Sequence, residues 1–436
     1  MKTALGIAVT AALVLVSVAG ATHNADDHSP NMRLVAQFTD GGAYASGTDI
    51  AFWNDVAVAG NQSPGGFRLL KLAKEDDPEP VISELAQFNC NGGQSDVSIW
   101  KTLVFVSIDG PRNSPACNSG SASEGFEGIR VVDVGDLDNP TPTQVAFVRT
   151  DCGSHTHTLV PDEAQGRVLL YVLSYPLGAP TASCNVASHR KISVVEVPLA
   201  NPAAARVIAT PDVSPAIGCH DVTVLVPRKL AGAACITESQ LWDISDPASP
   251  VVLSHIVNPA INIHHGTTFS FDGDTLAIGD ELGGAAVAPG CVDGNEHLPI
   301  GAIWFYDVSN PSVPVLRGTF SIPQAVTSTL CTAHNFNTVP VRTERDLLVS
   351  AWYNGGTTVV DFTDPAAPRQ IGHYIVRSGV VSNAWSSYWY RDQIYANNLG
   401  TRGFEAFFLD DPDLEENGVK LHRLNPQTME AIRTRR

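Results

Sequence analysis

The chain is poor in charge and lacks the sequence period of long helices. Only 17% of its 436 residues are charged, and acidic residues outnumber lysine and arginine by 45 to 27. The resulting formal charge of −18 argues against nucleic acid or an anionic membrane surface as a partner. With 36 glycines and 29 prolines, the composition is typical of short strands joined by many turns and not of a helical protein.

Familiar catalytic and nucleotide-binding motifs are missing as well. The chain has no GxSxG elbow, no P-loop and no GxGxxG turn, and its eight cysteines form no CxxC zinc pattern. An even number of cysteines in an exported protein predicts disulfides. Any chemistry must therefore come from residues that the fold, and not a local motif, brings together.

The first 21 residues have the features of a secretory signal peptide. Lys2 is the positive residue, Ala4–Val18 the apolar stretch and Ala19-Gly20-Ala21 the small-residue cleavage site. The alternative is a membrane anchor, but the apolar run is short for a span, and the polar segment Thr22–Ser29 follows at once. We therefore predict cleavage, a linker over residues 22–31, no membrane span in the mature chain and a secreted or periplasmic location.

A proline-containing turn recurs seven times along the chain, at spacings of 45 to 64 residues. Most copies follow a short alternating strand, as in RVVDV ending at Val134 and VVDF ending at Phe362. A repeat of this length made of short strands is the signature of a β-propeller blade. We predict an all-β, seven-bladed β-propeller over residues 32–424, with four strands per blade, lettered A to D from the axis outward. The marker prolines are Pro78, Pro140, Pro202, Pro247, Pro311, Pro365 and Pro412.

The two ends of the repeat predict how the ring closes. Leu34–Phe38 resembles the outer strand Glu84–Phe88, yet no inner strands precede it. The last repeat supplies strands A to C, ending with Phe404–Leu409, and has only a weak candidate for strand D at Val419–Arg423. We infer that Leu34–Phe38 completes blade seven, because sharing one blade between both ends leaves no open sheet edge. Residues 425–436 are predicted as a tail.

Long insertions between strands B and C fall at Asp109–Gly125, Ser174–Arg190 and Leu282–Pro299. In a propeller these loops emerge on the same face as the starts of the A strands, and six cysteines lie in one or the other. The disulfides are therefore predicted to brace this face. Cys219–Cys235, on adjacent strands, should lie roughly 4.4–6.8 Å apart at their Cα atoms. Cys291–Cys331 is the other reasonable pair, and four cysteines stay unassigned: Cys90, Cys117, Cys152 and Cys184.

Histidine recurs near the start of strand A in four consecutive blades, three to six. A propeller brings equivalent residues onto one axis, so these imidazoles should converge and leave an open position for water or substrate. Imidazole is the commonest protein ligand for zinc, copper and iron, and carboxylates complete such sites. The sequence therefore predicts a transition metal site on the face with the insertions. The candidate ligands are His155 or His157, His220, His265 and His334.

Acidic residues accompany the histidines. Asp49 and Asp96 hold the equivalent positions in blades one and two, and Asp280-Glu281 ends strand B of blade five beside His265. If the site is catalytic, Asp221 or Glu281 would support a metal ligand or act as a base.

A structural interpretation of the histidines stays open. Each could cap its strand by hydrogen bonding to the neighbouring blade, although blades one, two and seven form without the residue. The second functional hypothesis is accordingly an extracellular interaction module. Its loop-rich face would bind a protein, a glycan or a small molecule.

The units RVVDVGDLDNP, LWDISDPASPVVL and FYDVSNPSVPVL resemble the LVIVD repeat of exported bacterial proteins. The stretch from Cys219 to Glu281 is similar to a subset called choice-of-anchor-B proteins. It shares His220-Asp221, Cys235, His265-Gly266 and Asp280-Glu281 with them. The resemblance implies a β-propeller and export, and it implies no particular activity.

Overall fold

The computed structural model describes residues 26–73, 80–122, 125–176, 184, 186–282, 288–292, 294 and 298–433. Seven small sheets stand in a ring, and the inner strand of each blade contacts the inner strand of the next. The inner strands of blades seven and one also contact each other, so the ring is closed. The predicted seven-bladed β-propeller is confirmed. The predicted signal peptide lies outside the described residues.

Four antiparallel strands build each blade, in the order A to D from the axis outward. The A strands are Gly47–Trp53, Val97–Trp100, Thr156–Asp162, Asp221–Leu225, His264–Phe269, Phe336–Val339 and Ala384–Tyr390. The B strands are Val56–Asn61, Leu103–Ile108, Arg167–Leu173, Leu230–Ala234, Thr275–Asp280, Leu347–Ala351 and Gln393–Asn398. The C strands are Gly66–Lys71, Gly128–Gly135, Ser193–Pro198, Ser239–Asp243, Ile303–Asp307, Thr357–Asp361 and Phe404–Leu409. The D strands are Ser83–Asn89, Pro140–Arg149, Arg206–Ala209, Val251–Ile256, Val315–Phe320, Arg369–Val376 and Met32–Phe38.

Shorter elements complete the fold. The described part of the chain has one α-helix, Pro412–Asn417, whose first turn is capped by the Asp411 side chain. No described helix is long or apolar enough to cross a bilayer. The 3₁₀ turns are Asp40–Gly42, Glu163–Gln165, Pro202–Ala204 and Val226–Arg228, and the additional strands are Asp26–His28, Ala288–Pro289, Leu330–Cys331, Arg423–Leu424 and Thr428–Met429.

Burial explains the strand sequences. The inner strands lie between two neighbouring blades, so that Val56–Asn61 is buried along its whole length. The rim strand Ser83–Asn89 contains only exposed and half-buried residues. Among the described residues, the buried apolar side chains form seven large clusters, each packed between two adjacent blades, and a small eighth cluster of Tyr353 and Trp385. This packing between blades stabilises the ring. The axis does not need apolar side chains for that purpose, and polar side chains lie there.

The repeated proline turn has a simple physical cause. At the end of strand C the Asp243 carboxylate accepts the backbone N–H of Ser245, at 2.8 Å, and Asp361 accepts that of Thr363, at 3.1 Å. The next acidic residue repeats the arrangement, as Asp246 accepts the N–H of Ala248 at 3.0 Å. Two successive turns of this kind reverse the chain into strand D. The spacing of acid, acid and proline is therefore what makes the repeat visible in the sequence.

The predicted closure of the ring is confirmed. Met32–Phe38 pairs antiparallel with Phe404–Leu409 and forms strand D of blade seven, with Leu34 opposite Phe407. One blade thus contains both ends of the repeat. The segment Val419–Arg423, a weak candidate for that strand, does not join the outer edge of blade seven.

The predicted linker, residues 22–31, is wrong over its described part. Asp26–His28 adds a fifth strand to blade six by pairing with Arg369–Val376. Asp27 accepts hydrogen bonds from Arg377, the shortest at 2.7 Å, and Asp26 accepts one from the Tyr374 hydroxyl at 2.7 Å. These carboxylates resemble a solvated spacer in the sequence, but in the structure they accept hydrogen bonds from side chains of the rim.

The predicted tail, residues 425–436, is also wrong over its described part. The C-terminal segment (residues 417–433) runs around the axis on the face opposite the insertions. Arg423–Leu424 pairs with the end of the A strand of blade one, and Thr428–Met429 pairs with that of blade four. The Asn425 amide accepts from the N–H of Ile99 at 2.8 Å and donates to its carbonyl at 3.0 Å. The segment thereby satisfies backbone groups that the inner strands leave unpaired at this end.

All eight cysteines are paired. The predicted disulfides Cys219–Cys235 and Cys291–Cys331 are present. The predicted Cα distance is wrong for Cys219 and Cys235: their Cα atoms lie 3.5 Å apart, and both residues are just outside the paired parts of strands A and B of blade four. The four cysteines that the sequence left unassigned form Cys90–Cys117 and Cys152–Cys184.

Candidate metal centre

Four imidazoles lie side by side around the axis on the face that carries the insertions. We call them the axial histidine cluster: His155, His220, His265 and His334. They come from the A-strand starts of blades three to six, and none is more than 5% exposed. Ring centroids are 4.8 Å apart for His155 and His220, 3.8 Å for His220 and His265, and 4.4 Å for His265 and His334. The repeat thus brings the predicted histidines together.

The Nε2 atoms of the cluster face one another or Glu281. Those of His155 and His220 are 3.2 Å apart. His265 Nε2 lies 3.5 Å from one Glu281 oxygen, and His334 Nε2 lies 3.6 Å from the other. Two groups of three residues have potential ligand atoms that all lie within 4.8 Å of one another. The first group is His220, Asp221 and His265, and the second is His265, Glu281 and His334. The two groups share His265, and His155 belongs to neither of them; within each group the distances are short enough for one metal ion to bind all three residues.

Second contacts fix two of the rings. His155 Nδ1 is 2.7 Å from an oxygen of Asp109, a residue that follows strand B of blade two. His334 Nδ1 donates to the carbonyl of Trp385 in blade seven. Such contacts set the tautomer of a ligating histidine and leave Nε2 free to bind. Asp109 was missed by sequence reasoning because it lies in an insertion outside the repeat.

Two tyrosines also border the cluster. The Tyr353 hydroxyl donates to Glu281, and the Tyr175 hydroxyl is 3.3 Å from His155 Nε2. Tyr353 has a left-handed backbone with φ at 49°, which is uncommon outside glycine. Neither tyrosine belongs to the repeated pattern, so no sequence signal pointed to them.

Burial keeps most of the cluster uncharged. It lowers the pKa of His220 and His265 well below the usual value, helped by the neighbouring imidazoles, and lowers that of His334 to about 3. Burial also raises the pKa of Glu281 to about 7, although the Tyr353 hydrogen bond opposes this. The contacts of Glu281 with His265 and His334 are therefore not ion pairs at neutral pH. The lone pairs of these imidazoles are available to a metal.

His155 differs from the other three. Burial disfavours its charged form, but the hydrogen bond and the negative charge of Asp109 outweigh burial and raise its pKa. At neutral pH a larger fraction of His155 than of the other three histidines is therefore protonated, and a metal that binds His155 must displace that proton.

Unpaired nitrogen atoms mark the same place. His220 Nδ1 and His265 Nδ1 are buried and have no hydrogen-bond partner of good geometry among the described residues. His220 Nδ1 lies 3.6 Å from a carboxylate oxygen of Asp221. Buried polar atoms without partners are uncommon in folded proteins and indicate a ligand or water.

The structure separates His157 from the cluster. Its Nε2 is 2.7 Å from the hydroxyl of Ser98, and its Nδ1 is 2.7 Å from that of Ser107 and 3.0 Å from Asp96. Both ring nitrogens are thus engaged between blades two and three. Of the two blade-three candidates, His155 faces the other imidazoles and His157 has a structural environment.

Disulfides brace three of the four histidines. Cys219 directly precedes His220, Cys152 lies three residues before His155, and Cys331 lies three before His334. The expectation that the cross-links rigidify this face therefore agrees with their positions.

Comparison with known proteins supports the fold and no more. No family model and no curated protein matches the chain. The "putative 6-phosphogluconolactonase" of Bacteroides fragilis superposes with a TM-score of 0.51 at 11% identity, over 93% of this chain and 98% of that one. A functionally unknown protein of Desulfotomaculum acetoxidans superposes with a TM-score of 0.46 at 11% identity, over 77% of this chain and 88% of the other.

Proposed function

We propose that this protein is an exported β-propeller of the LVIVD-repeat type that binds one transition metal ion at the axial histidine cluster. The observation that carries the proposal is the orientation of four buried imidazoles from four blades. Their Nε2 atoms point toward one another and toward Glu281, and not into the interfaces between blades.

The shortest distance in the cluster fits a shared ion. Two nitrogens bound to one tetrahedral metal at 2.0–2.1 Å are about 3.3 Å apart. The Nε2 atoms of His155 and His220 are 3.2 Å apart. Imidazole with a carboxylate suits zinc, copper or iron. Such an ion would supply Lewis-acid chemistry, while Glu281 and the hydroxyls of Tyr175 and Tyr353 would hold or orient a bound molecule.

A purely structural role explains the cluster less well. A capping histidine should hydrogen-bond the backbone of the next blade. In the cluster His334 does so through Nδ1, and His220 also interacts with the backbone of His265. The Nε2 atoms of the cluster do not take part in such caps. Burying His220 Nδ1 and His265 Nδ1 without a hydrogen-bond partner among the described residues is unfavourable unless a ligand or water binds nearby.

Export is supported by chemistry of another kind. Four disulfides form in an oxidising compartment, which agrees with the predicted signal peptide and with the LVIVD resemblance.

Metal analysis tests the proposal. The protein is produced in an oxidising compartment, purified without a histidine tag and assayed by plasma mass spectrometry. We expect about one zinc, copper or iron ion per chain. His265→Ala, which removes the central ring, should abolish retention, while the control His255→Ala on a D strand should not. If neither the purified nor the reconstituted protein holds metal, the interaction-module hypothesis replaces this one.

A further inference from the structure

The insertion after strand B of blade three places a tyrosine at one end of the axial histidine cluster. Glu281 borders the other end of the cluster, beside His334. The Tyr175 hydroxyl oxygen, Oη, lies 3.3 Å from His155 Nε2, and the tyrosine ring centroid is 5.1 Å from that of His155 and 5.8 Å from that of His220. The row of imidazoles therefore has an oxygen donor at each end.

The backbone holds Tyr175 against the cluster. The Oγ atom of the preceding Ser174 donates to the carbonyl of Asp151 at 3.1 Å. Gly218, two residues before His220, has φ at 148°, and a Cβ atom at Gly218 would lie 2.6 Å from the Cβ of Tyr175. Only glycine lets the two segments approach so closely. The segment that carries Tyr175 and the segment that leads to His220 are therefore packed directly on each other.

Hydrogen bonding alone does not account for the surroundings of His155 Nε2. This atom has two polar neighbours, His220 Nε2 at 3.2 Å and Tyr175 Oη at 3.3 Å. An imidazole nitrogen has either one lone pair or one N–H, so it can make only one of the two contacts as a hydrogen bond. Tyr175 Oη has no further hydrogen-bond partner in the part of the chain that the structure describes.

Both distances fit atoms that bind one metal ion. Two donors at roughly 2.0–2.2 Å from an ion, with an angle between the octahedral and the tetrahedral value, are roughly 2.8–3.6 Å apart. The distances from His155 Nε2 to His220 Nε2 and to Tyr175 Oη both lie in this range. A shared ion thus explains two contacts that cannot both be hydrogen bonds.

We propose that Tyr175 is a ligand of the axial centre, that it binds through its phenolate oxygen, and that it suits the centre to ferric iron. This inference rests on the proposed metal site and names the ion that the site holds. The phenol releases its proton to solvent as the oxygen binds, because a bound cation is the largest charge in such a site. Imidazole suits both zinc and iron, but an anionic oxygen matches the higher charge of Fe³⁺ better than that of Zn²⁺.

Visible spectroscopy of the full chain loaded with Fe³⁺ tests the ligand directly, because a phenolate bound to Fe³⁺ gives a charge-transfer band that imidazole and carboxylate ligands do not give. We expect this band and, on excitation into it, tyrosinate vibrations in the resonance Raman spectrum. Tyr175→Phe should remove the band and lower Fe³⁺ affinity at least ~10-fold, with a smaller loss for Zn²⁺. Tyr306→Phe, which removes a buried hydroxyl bonded to Asn258 outside the centre, is the matched control and should keep both.

The inference and the proposed function can fail separately. A protein that holds iron through His265 but shows no tyrosinate vibrations overturns the role of Tyr175 and leaves the metal site in place. A protein that holds no metal overturns both. Vibrations that persist in folded Tyr175→Phe and disappear in Tyr353→Phe would assign the ligand to the other end of the cluster and contradict the inference. Since the Raman measurement uses the unaltered chain, it decides the question even if Tyr175→Phe does not fold.

Discussion

The two faces of the propeller differ in how they satisfy polar groups at the axis. On the face opposite the insertions, the C-terminal segment occupies the ends of the inner strands and hydrogen-bonds backbone groups such as those of Ile99 and Val224. On the histidine face, the Nδ1 atoms of His220 and His265 and the Asn335 amide oxygen have no hydrogen-bond partner among the described residues. The opposite face also has buried side-chain nitrogens without a partner in the described part of the chain, Trp100 Nε1 and Arg433 Nε, so the contrast concerns the strand ends, which the C-terminal segment covers only on that face. The contrast therefore indicates that the histidine face is arranged for ligands and that the opposite face is arranged for stability.

Removing the C-terminal segment should have the largest effect. Deletion of residues 423–436 exposes the ends of the inner strands and removes several buried hydrogen bonds, including those of Asn425. At about 1–3 kcal/mol for each buried group left unpaired, we expect a loss of at least ~4 kcal/mol in the free energy of unfolding. Urea denaturation measures it, with Asn425→Ala as a milder variant. Full stability of the truncated chain would show that the C-terminal segment does not stabilise this face.

Two disulfides on the histidine face should differ in their effect on metal binding. Replacing Cys219 and Cys235 by serine should cost about 2–4 kcal/mol of stability and should also weaken metal binding, because Cys219 directly precedes His220. The control is the Cys90–Cys117 pair, which links the end of blade one to the insertion of blade two and whose loss should reduce stability and leave metal affinity nearly unchanged. Calorimetry and metal titration separate the two readouts. Equal losses of affinity in both variants would contradict a positioning role for Cys219.

Asp109 should affect affinity more than stability. Asp109→Asn weakens the contact that orients His155, and loss of such a contact typically costs 10–100-fold in metal affinity. Asp243→Asn, in a turn outside the site, provides the control. A competitive chelator titration measures both variants. If Asp109→Asn binds like the unaltered protein, His155 is not a ligand.

Lowering the pH should reduce the free energy of unfolding of the metal-free protein, because most of the buried histidines of the axial cluster are neutral when the chain is folded. His334 has a pKa of about 3 when folded and near 6.5 when unfolded, so the unfolded chain binds more protons between these values. Stability from this group is complete above pH 6.5 and falls by about 1.4 kcal/mol per pH unit below it. Denaturation at pH 7.5, 6 and 5 should show this decline, and His334→Gln should flatten it. A variant with the same slope as the unaltered chain would show that His334 is not buried neutral.

The repeat explains what the sequence could predict. Blade number, closure by Leu34–Phe38 and the clustering of His220, His265 and His334 all follow from residues at equivalent positions of a period. The pair Cys219–Cys235 follows as well, because the two residues border adjacent strands of one blade.

Residues outside the period could not be placed. Asp109 and Tyr175 lie after B strands of different blades, and nothing in their local sequence shows that they meet His155. The C-terminal segment carries no repeat, so its polar residues resembled a tail until their partners on the inner strands were known. The choice between His155 and His157 depended on three serines of blades two and three, which only the structure brings near.

Anomalous diffraction from a crystal of the reconstituted protein, recorded at the absorption edge of the bound metal, tests the central claim most directly. The account predicts one strong peak on the axis, within roughly 2.0–2.2 Å of the Nε2 atoms of the four histidines, His155, His220, His265 and His334. A peak bound elsewhere, or an axis without a peak in a protein whose histidines keep their observed arrangement, would contradict it.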